Sequence, residues 1–408
     1  MRRTPHRHRF ENTSRGASQE EIQLYGLTSK SQRFAESARQ IAIDVALPAA
    51  EDVDSAGRFP SESMDALARS GLLGLCVEEA AGGIGEGPRA FAAVTEELAT
   101  ACGSTAMIYV MHVTAAQAIA SSNLLDDRTE LLAAIAAGKH LSTLAFSEKG
   151  SRSQFWAPVS KLTGANGEFA TTASKSWVTA ARHASSYVSS GQRPGAASPL
   201  ESVVYLARPK AAGVEVTDTF NGLGLRGNES APVAFEQMVV RNGDFISPLG
   251  EGANTMLQVV LPWFSIGTAA MANGLCRAAV SATSGHLMTT RFEHDGTALR
   301  DLPNLRARIA QMSVRTEQSR ALLAYTLGLM ENPSEITPLY VLQSRLAALE
   351  AAVDVTDLAM KACGGAAFSK HLPIERLFRD ARAGWVMAPT VDHLRDFIGR
   401  ALTGLPLF

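Results

Sequence analysis

Two kinds of sequence alternate along this chain, and their order limits the folds that it can adopt. Residues 28–140 carry apolar side chains at three- and four-residue spacing, which predicts helices. Residues 141–252 hold short runs rich in Val, Thr, Phe and Tyr, separated by Gly, Pro and Asn, which predicts strands. Long apolar stripes return in residues 253–408. The pattern therefore predicts a helical domain, a small antiparallel β-barrel or sandwich, and a helical bundle.

The charge of the chain excludes some classes of partner. With 38 Lys and Arg against 40 Asp and Glu, the formal net charge is −2, so no field attracts nucleic acid or a membrane surface. The basic start, MRRTPHRHRF, lies in residues 1–27, which we expect to be a disordered tail.

The nine histidines show no ligand spacing, so no metal site is expected. Free thiols in a reducing cytoplasm are expected at the four widely separated cysteines, Cys76, Cys102, Cys276 and Cys363.

One run without an ionisable residue, from Gly252 to Cys276, is long enough to span a membrane. It contains polar side chains, among them Asn254, Gln258 and Asn273. A helix buried inside the protein is therefore favoured over a membrane span.

Six stretches of the chain, in this order, resemble the acyl-CoA dehydrogenase family. They are GLLGLCVEEAAGGIGEG (71–87), EELATACGSTAMIYVMH (96–112), LAFSEKGSRSQ (144–154), KSWVTAARHASSYV (175–188), LGLRGNESAPVAFEQMVV (223–240) and ACGGAAFSKHLPIERLFRDAR (362–382). The resemblance covers residues 30–405. It implies the family's fold, with an N-terminal α-helical domain, a central antiparallel β-barrel domain and a C-terminal four-helix bundle. It also implies a homo-oligomer, either a tetramer or a dimer.

The resemblance implies that FAD binds in the crevice between the β domain and the C-terminal bundle. Ser147 and the backbone near Phe146 would hydrogen-bond the pyrimidine edge of the isoalloxazine. Trp177 would pack on the ring, and the Thr179 hydroxyl would face N5. Ser153 would reach the pyrophosphate. Taken singly, such residues are ordinary strand residues, and the matched set is what indicates a flavin.

Four further cofactor contacts are implied by position in the later part of the chain. Gly364 and Gly365 would let backbone amides approach the phosphates, because glycine permits close approach. Thr390 would help to hold the adenosine half. Arg291 lies in TTRFEHDGT, where the family's spacing is altered. It would either cross to the flavin of a neighbouring subunit or be a solvated arginine at a helix end.

The position of the family's usual catalytic base holds no acid in this chain. The resemblance places that glutamate at Ala388, in WVMAPTVDH. A second placement known in the family falls near Phe264, which is followed by Ser265. The catalytic residue is thus unknown, with Asp392 as a weak candidate because it would lie one helical turn after Ala388. An acid in a first helical turn also complements the helix dipole, which is an alternative role for Asp392.

Three functions remain open at this point. The first is an FAD-dependent acyl-CoA dehydrogenase with an unconventional base, acting on an acyl-CoA or related acyl thioester and passing electrons to an electron-transferring flavoprotein. The second is a flavin-dependent monooxygenase or oxidase on the same fold. The third is a catalytically silent protein that binds acyl-CoA or flavin.

Overall fold

The N-terminal domain is helical, as its apolar spacing predicts. The computed structural model describes residues 24–407 of the chain. Its first helices are α1 (Ser29–Ile41), α2 (Leu47–Ala56), α3 (Ser61–Arg69), α4 (Pro88–Ala101), α5 (Gly103–Ala120) and α6 (Arg128–Ala136). Most of α4 and almost all of α5 are buried, so these two helices form the centre of the domain.

The start of the described chain contains a π-helical turn. This turn, Ala42–Ala46, joins α1 to α2. Pro48 lies in the first turn of α2, where a missing N–H costs little. The expected tail of residues 1–27 lies mostly outside the described residues. Tyr25, inside that range, is buried, and its hydroxyl hydrogen-bonds the Glu96 carboxylate.

The central domain consists of two sheets with a shared aromatic and aliphatic core. The strands of this domain are β1 (Ser142–Ala145), β2 (Leu162–Ala165), β3 (Glu168–Val178), β4 (Ser186–Gln192), β5 (Ser202–Ala207), β6 (Val214–Val216) and β7 (Ala231–Arg241). One sheet has the strand order β1-β4-β5, and the other has the order β2-β3-β7-β6. Among these described strands the pairs are antiparallel, except that β1 and β4 run parallel. The β2–β3 hairpin lies between them in the chain and supplies the long crossover that a parallel pair requires.

The C-terminal domain is a bundle of long helices. Its elements are α7 (Gly252–Thr255), a π-helical turn (Met256–Val260), α8 (Leu261–Thr289), α9 (Pro303–Glu331), α10 (Thr337–Cys363), α11 (Gly365–Phe368), α12 (Ile374–Val386) and α13 (Val391–Thr403). The segment Gly252–Thr289 is long and apolar enough to cross a membrane, but 78% of its most apolar window is buried inside the protein. That burial agrees with the predicted core helix.

Helix α8 also joins the bundle to the N-terminal domain, because it packs closely against α4. A Cβ atom on Gly274 would lie 2.4 Å from the Glu96 carbonyl oxygen and 2.6 Å from the Ala99 Cβ. Beside this contact, the buried Glu96 carboxylate pairs with Arg320 at 3.0 Å and with Arg277 at 3.1 Å. The two domains therefore share one packed interface.

Alanine at Gly274 should destabilise the protein, because α4 presents rigid backbone at that point. We expect Gly274→Ala to lower the free energy of unfolding by about 1–3 kcal/mol. Gly285 lies in the same helix with open space around its Cα. Gly285→Ala is the matched control and should be neutral or stabilising by up to about 1 kcal/mol. Urea unfolding of both variants measures the difference, and equal effects would contradict close packing at Gly274.

Candidate active site

A cavity of about 840 Å³ lies between the β domain and the C-terminal bundle. Its volume falls in the range of small-molecule sites. Hydroxyl-bearing residues form one part of its wall, where β1 and β3 end. Apolar residues form another part, and these are Met107, Met111, Leu144, Val260, Leu261, Phe264, Val386, Met387 and Ala388.

Five of the predicted cofactor residues line this cavity together. They are Phe146, Ser147, Ser153, Trp177 and Thr179. In the described part of the chain the hydroxyls of Ser147 and Ser153 have no hydrogen-bond partner, so both remain free to bind a ligand. The Thr179 hydroxyl lies 3.0 Å from the Ser230 hydroxyl, which also lines the cavity.

A buried ion pair fixes the segment that follows Ser147. Lys175 Nζ in β3 donates to the Glu148 carboxylate at 2.6 Å and to the Ser190 carbonyl at 2.8 Å. The backbone N–H groups of Val159 and Ser160 each donate to Glu148 Oε2 at 2.7 Å. Burial alone would raise the pKa of Glu148, but Lys175 and the hydrogen bonds outweigh burial and lower it. Glu148 is therefore an ionised anchor with its oxygens already occupied.

Several residues around the cavity have a left-handed backbone conformation without being glycine. Arg152, Ser153, Trp177 and Leu225 have φ angles of 48°, 66°, 58° and 50°. Such strained conformations cost energy and cluster at functional sites. At Trp177 the strain accompanies a side chain that is 67% exposed beside the cavity. The backbone thus presents an indole face where a planar ligand would stack.

Three predicted cofactor residues lie far from this cavity, at the opposite end of the bundle. Leu287 near the end of α8 packs against Ala362 near the end of α10. Phe264 lines the cavity near the start of α8, about 35 Å away at 1.5 Å per helical residue. Arg291, Gly364 and Gly365 follow the distal ends of these helices. Arg291 donates to the Gly296 carbonyl at 3.1 Å, and Gly364 has a φ angle of 52° with open space beside it.

Thr390 has a structural role that the sequence did not indicate. Its hydroxyl accepts the His393 backbone N–H at 3.3 Å and so caps α13. It does not line the cavity, and a contact with the adenosine half remains a proposal.

The suggestion of Asp392 as a base does not agree with the structure. Its side chain is 91% exposed and pairs with Arg395 at 3.3 Å, away from the cavity. The physical reason is that α13 begins at Val391, so the step from Ala388 to Asp392 does not follow helical periodicity. Ala388 itself lines the cavity, as does Phe264 at the second placement.

His112, in the same helix as Met107 and Met111, is a core residue. It is fully buried, with Nδ1 accepting the Ser142 N–H at 3.1 Å and Nε2 lying 3.0 Å from the Leu73 carbonyl oxygen. Burial lowers the pKa of His112 to about 4, so the ring is neutral at physiological pH. Both ring nitrogens are occupied, and no proton acceptor is left for a substrate.

Part of the cavity wall consists of residues that the sequence pattern did not single out. Met107 and Met111 lie one turn apart on α5 and both face the cavity. Their four-residue spacing was available as a signal, but α5 is apolar on all sides, so no single face could be selected. The loop from Phe220 to Leu225 also lines the cavity, and its glycines were the available signal there.

Comparison with known proteins connects this geometry to a family. The family models for the N-terminal and C-terminal domains of acyl-CoA dehydrogenase match residues 28–139 and 250–403. The chain is 24% identical over 386 residues to the probable acyl-CoA dehydrogenase YngJ of Bacillus subtilis, covering 93% of this chain and 99% of that protein. It is 25% identical over 396 residues to acryloyl-CoA reductase (NADH) of Anaerotignum propionicum, covering 92% and 95%.

A solved structure shows the same fold. Butyryl-CoA dehydrogenase from Megasphaera elsdenii matches with a TM-score of 0.87 at 20% identity, covering 92% of this chain and 99% of that one. The chain belongs to the acyl-CoA dehydrogenase family. The acyl-CoA dehydrogenases are FAD-dependent oxidoreductases that act on CH–CH groups, and this protein is an enzyme of that class.

The cavity of this family member fits the family's cofactor. A flavin needs hydrogen-bonding groups at one edge, an aromatic or apolar surface along its face and room for a chain of phosphates. Ser147 and Thr179 supply hydroxyls, and Trp177 supplies the exposed ring. Arg152 and Ser153 lie next to each other on the wall and offer a cation and a hydroxyl for phosphate oxygens.

Asp380 joins α12 to the loop that covers the cavity and should make stability depend on pH. Its carboxylate accepts the Leu225 N–H at 2.6 Å, and burial raises its pKa to about 6. The folded state therefore keeps a proton that the unfolded state loses, and stability falls as pH rises from about 4 to 6. Relative to Asp380→Asn, the wild type should lose about 1–3 kcal/mol over that window.

Chemical unfolding at several pH values tests this dependence. Asp392→Asn, at an exposed carboxylate, controls for the loss of a charge alone. A stability difference between wild type and Asp380→Asn that stays constant with pH would contradict the raised pKa.

Proposed function

We propose that this enzyme uses FAD to oxidise the Cα–Cβ bond of an acyl thioester whose acyl group lies in the apolar part of the cavity. The observation that supports the proposal is that one cavity combines a hydroxyl-bearing wall, which includes Ser147 and Ser153, with an apolar wall that includes Val260, Leu261 and Phe264. A flavin held at the polar wall would thus face an acyl chain at the apolar wall.

The residues of the polar wall would hold and orient the cofactor. FAD, when bound, supplies a two-electron acceptor. Ser147 and Thr179 would hydrogen-bond it, and Trp177 would cover its ring and help to exclude water. Glu148 and Lys175 would keep this wall in place without touching the substrate.

Removal of the α-proton from the substrate is the step for which the described wall of the cavity offers no free carboxylate. Among the described residues that line the cavity, Glu148 is the only acid, and its oxygens are occupied by Lys175 and Ser160. A missing general base costs about 10²–10⁴-fold in rate. We therefore propose that the proton passes to water or to a group of the substrate, and not to a side chain at Ala388.

An oxygen-dependent reaction of the same flavin is the second candidate. The observation that favours it is the same lack of a free carboxylate beside Ala388, because oxidation by oxygen does not require a base there. A protein that binds an acyl thioester without turnover is a third outcome.

The assembly and the partners are also part of the proposal. Trp385, Val386 and Phe368 are exposed apolar side chains of the bundle, which favours burial between copies of the chain. In a tetramer or dimer, Arg291 and Gly364 would contact the cofactor of another copy. We propose an electron-transferring flavoprotein as the electron acceptor and the cytoplasm as the location.

An anaerobic titration of the FAD-loaded enzyme with a panel of acyl-CoA esters tests the function. Bleaching of the oxidised-flavin absorbance by any ester, without NADH or NADPH, would support dehydrogenation. Oxygen consumption that requires an external reductase would favour the second candidate. If the enzyme binds the esters but its flavin stays oxidised under both conditions, the remaining function would be binding of an acyl thioester without turnover.

A glutamate at position 388 should restore a base. We expect Ala388→Glu to speed flavin bleaching by a simple saturated acyl-CoA by about 10²-fold or more, because a carboxylate would then stand beside Cα. Ala388→Gln is the matched control, since it has the same size without the basic oxygen. Equal rates for the two variants, with FAD still bound, would show that Cα does not lie near residue 388.

A further inference from the structure

Arg345 is a buried cation for which the described part of the chain provides no carboxylate. It lies in α10, and its side chain has no exposed surface. One nitrogen, Nη2, donates to the Met387 carbonyl at 3.2 Å. The other two nitrogens, Nε and Nη1, have no hydrogen-bond partner. Burial lowers the pKa of Arg345 to about 9, which still leaves it charged at neutral pH.

The charge of Arg345 is anomalous for a protein interior. Arginine is rarely buried fully unless it is paired, because an ion removed from water needs a counter-ion or a full set of acceptors. Two acids of α10 and α13 are engaged at the surface, where Glu350 pairs with Arg395 at 2.7 Å and Asp392 pairs with the same arginine at 3.3 Å. The buried Asp380 of α12 accepts the Leu225 N–H. Within residues 24–407 no carboxylate pairs with the Arg345 guanidinium.

The guanidinium lies directly behind the wall of the cavity. Its central carbon is 4.8 Å from the centre of the Phe264 ring, and its hydrogen-bond acceptor belongs to Met387. Phe264, Met387 and Ala388 all line the cavity. Ala388 is the residue at which a carboxylate is missing, and its short side chain leaves room on that wall.

We propose that Arg345 recognises a carboxylate on the acyl group, so that the substrate is a thioester of a dicarboxylic acid. This inference rests on the proposed function, because it assumes that an acyl thioester occupies the cavity. A carboxylate from the substrate supplies the missing counter-ion, and the two free nitrogens of Arg345 supply charge-assisted hydrogen bonds. An acyl group that ends in a methyl leaves these donors unsatisfied and so binds more weakly.

Binding to the FAD-loaded enzyme tests this preference independently of turnover. The probes are glutaryl-CoA and valeryl-CoA, which have acyl chains of equal length with and without a terminal carboxylate. Calorimetry should show glutaryl-CoA binding at least about tenfold more tightly to the wild type. Equal affinity, or no binding of either ester, overturns the proposal.

Arg345→Met keeps the length of the side chain and removes its charge. It should weaken glutaryl-CoA binding by at least about tenfold and change valeryl-CoA binding by less than about threefold. Arg345→Lys keeps the charge and should retain part of the preference. An equal loss for both esters would instead assign Arg345 a structural role, as a clamp on the Met387 carbonyl, and would overturn the proposal.

A second variant keeps the test decisive if Arg345→Met does not fold. Arg345→Gln removes the charge and keeps N–H donors that can reach the Met387 carbonyl. It should reduce the affinity for glutaryl-CoA and spare valeryl-CoA. An unchanged preference in Arg345→Gln overturns the proposal.

The flavin absorbance, followed in the same titrations, separates this inference from the proposed function. Tighter binding of glutaryl-CoA, without flavin bleaching by any ester, contradicts the proposed oxidation and supports the carboxylate site at Arg345. Bleaching by both esters, without a difference in affinity, supports the proposed oxidation and contradicts the carboxylate site.

Discussion

The buried ion pair of Glu148 and Lys175 is the contact on which the polar wall of the cavity depends. A buried ion pair is tolerated when its remaining lone pairs and protons form hydrogen bonds. Here two backbone N–H groups donate to Glu148, and Lys175 donates to a backbone carbonyl. The pair ties the segment before Ser153 to β3, which carries Trp177 at its end. One electrostatic contact thus places both the hydroxyl and the aromatic sides of the candidate flavin site. The same contact explains why the one acid on the wall is not a free proton acceptor.

The region around residue 388 has the opposite electrostatic character. Ala388, where the sequence resemblance places the family's glutamate, carries no charge, while Arg345 keeps a positive charge behind the same wall. A buried cation without a counter-ion in the free protein is stabilised when an anion binds beside it. The charge of Arg345 therefore influences which substrate binds. Under the proposed function, the uncharged Ala388 and the charged Arg345 thus give the same wall a positive character. Both favour a substrate that carries its own anionic group over a simple fatty acyl chain.

The order of helices and strands could be predicted because periodicity is a local property of the sequence. The parallel pairing of β1 with β4 could not, since it depends on where the β2–β3 hairpin folds in space. The position of Asp392 could not be predicted for a similar reason: the four-residue spacing from Ala388 has meaning only inside a helix, and α13 begins between them. The burial of Arg345 without a carboxylate partner depends on how the helices pack, so it could not be predicted from composition or from residue spacing.

The predicted cofactor residues divide into two groups that one chain cannot bring together. The first surrounds the cavity, and the second, with Arg291 and Gly364, lies about 35 Å away along α8. That separation exceeds what one cofactor lying in the cavity would span. Gly364 keeps a left-handed backbone with open space beside it, although no group of its own chain approaches closely there. Glycine adopts this backbone without steric cost, so a group from outside the chain could approach there. Under the proposed assembly, a second copy of the chain would bring its Arg291 and Gly364 to the cavity of the first and so complete the cofactor site.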